Sequence, residues 1–204
     1  DPKAMEFSLA VIKFMELKCE ELSSRYGLKI VLEQTPAEST AYRMAKLDLR
    51  YFPDEASRFI RGNRENGEIY YTNSSHFAYD VSMDPVEKVL EEGKFHPMIK
   101  AGAITHVWLG EHQPDPAALA SFVRKIFLHS ESAQVAFSPE FTVCNDCGKV
   151  VRGLKGQCPA CESVNVDGIT RITGYFTRTS SWNAGKRAEL RDRTKVVIPV
   201  ASDS

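Results

Sequence analysis

No stretch of this chain approaches the roughly 20 apolar residues that a membrane-spanning helix needs. Its N-terminus also lacks a basic region followed by an apolar core and a small-residue cleavage site, so the reading expects a soluble, cytoplasmic protein. An excess of charge is missing as well: 26 Lys and Arg meet 27 Asp and Glu, and the net charge of −1 gives no global attraction to a polyanion. Cysteine is scarce outside one place. Four of the five lie between residues 144 and 161, whereas a disulfide-stapled secreted domain would spread them along the chain, so the clustering points to a metal site in a reducing compartment. Internal repeats and low-complexity segments are absent. With 43% hydrophobic residues among 204, the chain has enough apolar material for a core and is not a disordered tail. It opens Asp1-Pro2-Lys3 and enters a helical pattern at once, which reads as a piece of a longer polypeptide.

Apolar residues at Leu9, Ile12, Met15, Cys19 and Leu22 recur at helical spacing, and Gly27 is a stop, so residues 4–25 are expected to be a helix with Cys19 in its buried stripe. Lys29 to Leu32 reads as a short strand. Thr35-Pro36-Ala37-Glu38 sets a capping residue, a first-turn proline and a glutamate, predicting a helix from Pro36 to about Arg50. The same grammar recurs at Asp84-Pro85-Val86-Glu87, with Gly93 as the stop, and at Asp115-Pro116 before the apolar run through Phe127. Strand candidates lie at Ile69–Thr72, Ile104–Leu109 and Gln134–Phe137. Strands alternating with segments long enough for crossover helices predict a mostly parallel sheet, open or curled into a barrel. At about Ser138 this alternation gives way to cysteine pairs, a Gly-rich stretch and a basic C-terminus.

The pairs are Cys144-Asn145-Asp146-Cys147-Gly148 and, after ten intervening residues, Cys158-Pro159-Ala160-Cys161. Two residues between paired cysteines let a tight turn aim both sulfurs at one ion, and Gly148 and Pro159 favour that turn. Four thiolates fill a tetrahedral zinc and leave no position for water or substrate, so the predicted ion is structural. Residues 171–195 carry seven basic side chains (Arg171, Arg178, Lys186, Arg187, Arg191, Arg193, Lys195) against Glu189 and Asp192. A solvated basic tail is the simpler reading of them. Phosphate contacts are the alternative, weakened by the few interleaved aromatics. Asn73, Ser74, Ser75 and His76 follow a strand candidate and are read either as turn formers or as the lining of a substrate pocket. His96, His106, His112 and His129 have no metal-ligand spacing and are read as structural.

Arg171-Ile172-Thr173-Gly174-Tyr175-Phe176 is followed by Trp182-Asn183-Ala184-Gly185-Lys186 and Glu189-Leu190-Arg191. This stretch resembles the C-terminal signature of the anaerobic (class III) ribonucleoside-triphosphate reductases, where a four-cysteine zinc site also stands just upstream of the radical glycine. Glu33 to Ser39 and Tyr71 to Ser74 resemble segments of the same family's catalytic domain, so the likeness covers most of the chain.

The resemblance implies a fold: the second half of a ten-stranded α/β barrel of the glycyl-radical type over residues 1–138, a zinc ribbon over 139–168, and a glycyl-radical loop with its tail over 169–204. It makes Gly174 the radical position. A Cα radical needs a planar centre conjugated with both peptide groups, and glycine also permits the unusual backbone angles of a loop pushed into a protein interior. It places Asn73 and Ser74 near substrate and Cys144, Cys147, Cys158 and Cys161 on zinc. The implied reaction reduces ribonucleoside triphosphates to deoxyribonucleotides. A separate activase carrying a 4Fe-4S cluster and S-adenosylmethionine would generate the radical, and formate or a thiol protein would supply electrons. ATP and deoxynucleotide effectors would act on sequence outside this chain. A homodimer with no membrane or nucleic-acid partner is expected. The position before the glycine, Cys in some members, is Thr173 here, and no cysteine of this chain matches the family's thiyl residue, which is expected upstream of Asp1. The alternatives are another glycyl-radical enzyme, of formate-lyase or diol-dehydratase type, and a zinc-ribbon nucleic-acid-binding module.

Overall fold

Aspartate followed by proline starts three of the long helices. A carboxylate just ahead of the first turn accepts the free amides, and proline has no amide to satisfy. In the computed structural model, which describes residues 1–35 and 37–198, Asp1 caps α1 (Pro2–Tyr26), Asp84 caps α4 (Pro85–Gly93) and Asp115 caps α5 (Pro116–His129). Gly27 ends α1 at φ 64°, the left-handed turn that glycine adopts without strain. The cap expected at Thr35 does not form. Helix α2 (Glu38–Tyr51) starts after Ala37, which has no side-chain acceptor, and Pro36 lies outside the described residues. Tertiary contacts hold that end instead: Thr173 Oγ1 donates to Glu38 Oε1 at 2.9 Å and Asn183 Nδ2 to the Glu38 carbonyl at 3.2 Å.

The stripe on α1 is only half-buried. Met5, Leu9 and Ile12 pack against Phe95, Ile99 and Ala103, Cys19 is half-buried, Met15 is exposed, and the one fully buried residue is Glu16, paired with Lys13 and Lys100. Residues 29–32 form no strand. They run extended beside a loop, where Leu32 and Gly102 carbonyls accept amides from Ala101 and Gln34.

After the short helix α3 (Pro53–Ala56), strands β1 (Arg61–Asn63) and β2 (Glu68–Tyr70) form a separate hairpin. The main sheet holds β3 (Thr105–Gly110), β4 (Val135–Cys144), β5 (Val150–Arg152), β6 (Val166–Arg171) and β7 (Phe176–Arg178), in the order β3-β4-β6-β7 with β5 also paired to β4. Only β3 and β4 are parallel, joined by α5; the remaining pairings are antiparallel, which corrects the mostly parallel expectation. The cause is β4. Its ten residues run through Ser138, pairing first with β3 and then, past Pro139, with β6, and the short returns after Cys144 and Arg171 leave no room for crossover helices.

Every residue of β3 is buried, so it needs cover on both faces. Val107 and Leu109 point to Val89 of α4 and to Ala118, Phe122 and Ile126 of α5. On the opposite face Trp108 meets Tyr70, Tyr79 and Ala188, the last from α6 (Ala184–Asp192). The C-terminal helix is thus part of the core.

Candidate functional site

The cysteine knuckles close the far end of β4 and β6. Cys144 is the last residue of β4, in register with Val166 at the start of β6. In the first knuckle the Cys144 carbonyl accepts the Gly148 amide at 3.0 Å, with Gly148 at φ 73°; in the second the Cys158 carbonyl accepts the Glu162 amide at 2.9 Å, with Glu162 at φ 59°. The two turns are equivalent, with glycine at one left-handed position and a side chain tolerated at the other. The four sulfurs lie within 4.8 Å of one another, at 3.6 Å for Cys144–Cys161 and 3.7 Å for Cys147–Cys158. Tetrahedral zinc with bonds of roughly 2.3 Å needs sulfurs about 3.8 Å apart, so this donor set fits the ion. Amides of Ala160 and Cys161 draw the Cys158 thiol down to about 7, whereas at Cys161 the help of the Ser163 amide is outweighed by Cys147 and Cys144, which push it up to about 12.

At the other end of β6, residues 172–175 form a four-residue hairpin loop between paired Arg171 and Phe176, closed by the Ile172 amide on the Tyr175 carbonyl at 3.0 Å. Gly174 stands at its tip, exposed, and Arg171 donates to its carbonyl at 2.7 Å. The expected unusual backbone is not there: Gly174 is outside the left-handed region, and a Cβ built on it would meet nothing within 4 Å. Neither conformation nor packing within this chain requires glycine at this position.

The stretch after the loop does have such reasons. Asn183 caps α6 by accepting the Lys186 amide at 2.9 Å. Gly185 lets the helix touch down, since a Cβ there would come within 2.5 Å of the Ile69 carbonyl and 2.7 Å of the Tyr42 ring. The basic residues are only partly a solvated tail: Arg178, Arg187, Arg191 and Lys195 are exposed, whereas Lys186 and Arg193 are buried. Lys186, 2% exposed, pairs with Glu189 at 2.6 Å, and burial pulls its ammonium below the ordinary value while that carboxylate opposes the shift. Arg193 pairs with the other Glu189 oxygen at 2.9 Å, Arg178 with Asp167, Arg191 with Glu68 and Lys195 with Glu140. Arg187 donates to the Trp182 carbonyl. With Arg171 on Gly174, all seven have partners inside the chain.

An open cleft runs beside the loop, lined by Glu33, Gln34, Ser74, His76, Thr173 and Gly174 among others. Of the two residues predicted near substrate, Ser74 reaches this cleft, at φ 53°, while Asn73 is 2% exposed behind it with no hydrogen bond to its amide. Gln34 is the polar residue the pattern did not single out. It bridges elements far apart in sequence, donating to Ser75 Oγ at 3.0 Å and accepting the Ile104 amide at 2.6 Å. His76 Nδ1 lies 3.3 Å from the buried carboxylate of Glu92. Burial would raise that carboxyl, but His76, Lys88 and the Phe77 amide hold it below its usual value. His96 and His106 are buried and His112 and His129 exposed; burial lowers His96 to about 4 and His106 to about 2. Among the described residues the four cysteines alone gather as a metal-ligand set.

The family model for anaerobic ribonucleoside-triphosphate reductase matches residues 1–195, nearly the whole chain and including both the knuckles and the loop. This chain belongs to that family. It is similar to the anaerobic ribonucleoside-triphosphate reductases of Haemophilus influenzae, at 26% identity over 96% of this chain and 28% of that protein, and of Enterobacteria phage T4, at 23% over 91% and 31%. Among solved structures, one titled anaerobic ribonucleotide reductase superposes with a TM-score of 0.75 at 24% identity, over 96% of this chain and 29% of that one. The anaerobic ribonucleotide reductase of Thermotoga maritima, crystallised with dATP and CTP, superposes at 0.68 and 24%, over 92% and 28%. These likenesses show a shared mixed α/β fold. The chain spans less than a third of each of these relatives.

Proposed function

We propose that this chain supplies the glycyl-radical loop and the structural zinc of an anaerobic ribonucleotide reductase, with Gly174 as the radical residue. The observation that carries the reading is a glycine at a hairpin tip, facing a cleft, where neither backbone angle nor packing within the chain requires one. A Cα radical requires it for a different reason, the planarity that a side chain would crowd. In this reading residues 1–138 are the second half of a ten-stranded barrel, 139–168 the zinc ribbon and 169–204 the radical loop and tail. Cys144, Cys147, Cys158 and Cys161 hold zinc, which organises the ribbon and takes no part in the chemistry. The ion acts on the loop through β6, whose six residues separate the two sites by about 17 Å at roughly 3.3 Å per residue.

The reaction is the reduction of a ribonucleoside triphosphate at a cytoplasmic homodimer, under ATP and deoxynucleotide effectors. A radical S-adenosylmethionine activase with a 4Fe-4S cluster removes one hydrogen atom from the Gly174 Cα. That radical takes the thiol hydrogen of a cysteine elsewhere in the polypeptide, since four of the five cysteines here are gathered at the metal site and Cys19 lies on α1. The thiyl then removes the ribose 3′ hydrogen, and formate or a thiol protein supplies the two electrons. Ser74 faces substrate across the cleft, with Asn73 behind it. Five of the seven basic residues are paired with acids, which leaves little charge for nucleic acid.

Anaerobic activation of the full-length protein should give a glycyl doublet in its electron paramagnetic resonance spectrum, and air should then cut the chain at Gly174. A doublet that persists in Gly174→Ala would sink the assignment. That variant keeps its fold on the geometry above, so a lost signal reads on chemistry.

A further inference from the structure

The zinc-binding cysteines stand at the far end of β6, so something else must hold the loop at its near end. Arg193, two residues beyond Arg191, the last residue of the family signature quoted above, meets that need. It is 3% exposed, and its fork is aimed at main chain: Nη1 donates to the Arg171 carbonyl at 3.0 Å and Nη2 to the Ile172 carbonyl at 3.1 Å. Those are the last carbonyl of β6 and the first of the loop, two residues before Gly174. Nη2 also reaches Glu189 Oε1 at 2.9 Å, and the second Glu189 oxygen holds Lys186 at 2.6 Å. The guanidinium carbon, Cζ, lies 3.8 Å from the ring centroid of Trp108 on β3 and 5.3 Å from that of Trp182. The backbone around it is fixed too, because Thr194 and Val196 donate their amides to the Tyr79 and Trp108 carbonyls, both at 2.8 Å.

Burying an arginine is unfavourable unless its charge and donors find partners, and here the carboxylate, two indole faces and two carbonyls meet the charge and both terminal nitrogens, leaving only Nε without a hydrogen bond. A four-residue hairpin loop closed by one hydrogen bond leaves its first carbonyl free to turn; the fork removes that freedom. We propose that Arg193 is a positioning residue for Gly174. It ties the carbonyls at residues 171 and 172 to the core so that the glycine Cα is presented towards the cleft in one geometry. This rests on the radical reading of Gly174. Lysine at the same place keeps the charge but cannot make two parallel bonds. Glutamine removes the charge and leaves Lys186 and Glu189 as a balanced pair.

The test uses full-length protein activated without oxygen, with Arg193→Lys and Arg193→Gln beside the wild type. Glycyl radical per protein is counted from the doublet, and hydrogen exchange is followed at the Ile172 amide, across β6 and across α6. Misplacing a reacting atom by an ångström lowers rates by roughly a hundredfold, so both variants should hold at least about tenfold less radical. The Ile172 amide should exchange at least about tenfold faster while β6 and α6 keep their protection. Wild-type radical and wild-type exchange in both variants would overturn the proposal. So would loss of protection throughout β6 and α6 in both, which would make Arg193 a general scaffold residue. If the wild type itself gave no doublet, the radical reading would fall, and the Ile172 exchange would still decide whether Arg193 fixes the loop.

Discussion

The two ends of β6 are held in opposite ways. At its start, four cysteines from a window of eighteen residues gather through two local turns into a set that could hold a metal ion. At its end, the loop is held by side chains brought from across the sequence: Glu38 on α2, itself held by Asn183 at the start of α6, and Arg193 after α6, backed by Trp108 on β3 and Glu189 on α6. The first arrangement is short-range and, in the proposed reading, gains its strength from a bound ion. The second is long-range, buried and charged, and stands only if the rest of the core stands. A metal-held end can be emptied without unfolding its neighbours, whereas a charge-held end cannot lose one partner without leaving another unpaired.

The largest effects should separate the ends. Chelation, or Cys158→Ser, is expected to remove hydrogen-exchange protection from about residue 140 to 165 while residues 1–137 stay protected, because the ion supplies most of the folding energy of so short a segment. Retained protection in metal-free protein would mean that the sheet holds the knuckles by itself. At the other end, Glu189→Ala strands two buried cations, and losing one member of a buried pair typically costs about 3–5 kcal/mol. Urea unfolding should show that loss with metal content unchanged. A cost below about 1 kcal/mol, the range of a surface pair, would remove the contrast between the two ends.

Glycines sharpen the comparison at a smaller scale. Gly185→Ala drives a methyl against the Ile69 carbonyl and should destabilise by about 1–3 kcal/mol, while Gly174→Ala, with open space and an ordinary φ, should stay within roughly 0.5 kcal/mol. If the two substitutions cost the same, the glycine of the loop is there for structure after all. At the knuckles, Gly148→Ala should cost about 1 kcal/mol through its left-handed φ alone, and Glu162→Gly at the equivalent turn should gain a similar amount in thermal unfolding of the metal-loaded protein.

Much of this was legible in the residues because its causes are local. Asp84-Pro85 and Asp115-Pro116 start helices through hydrogen bonds two or three residues long, and Gly27 stops one through its own φ. Thr35-Pro36 follows the same pattern of a capping residue before proline, but α2 begins beyond it, with Glu38 held by Thr173 and Asn183 rather than by a cap. The mostly parallel sheet was misread for a related reason. Spacing shows that a helix fits between β3 and β4, but it does not show that β4 continues past Ser138 to meet β6 from the other direction. The solvated reading of the basic C-terminal segment holds for exposed Arg178, Arg187, Arg191 and Lys195 and fails for Lys186 and Arg193, because composition records their charge and only the surroundings record that Glu189 pairs both and two tryptophans lie against Arg193. Ser74 was found at the cleft and Gln34 was missed, since its two partners lie 41 and 70 residues away.

The sequence by itself determined the four-cysteine site, the aspartate-capped helices and the glycine in its family signature, because spacing, caps and residue type act over a few residues. Only the tertiary structure decided which way the strands run, that α6 belongs to the core, and that a buried arginine grips the loop two residues before Gly174. Those outcomes depend on groups that are distant in the chain and adjacent only once the core has formed.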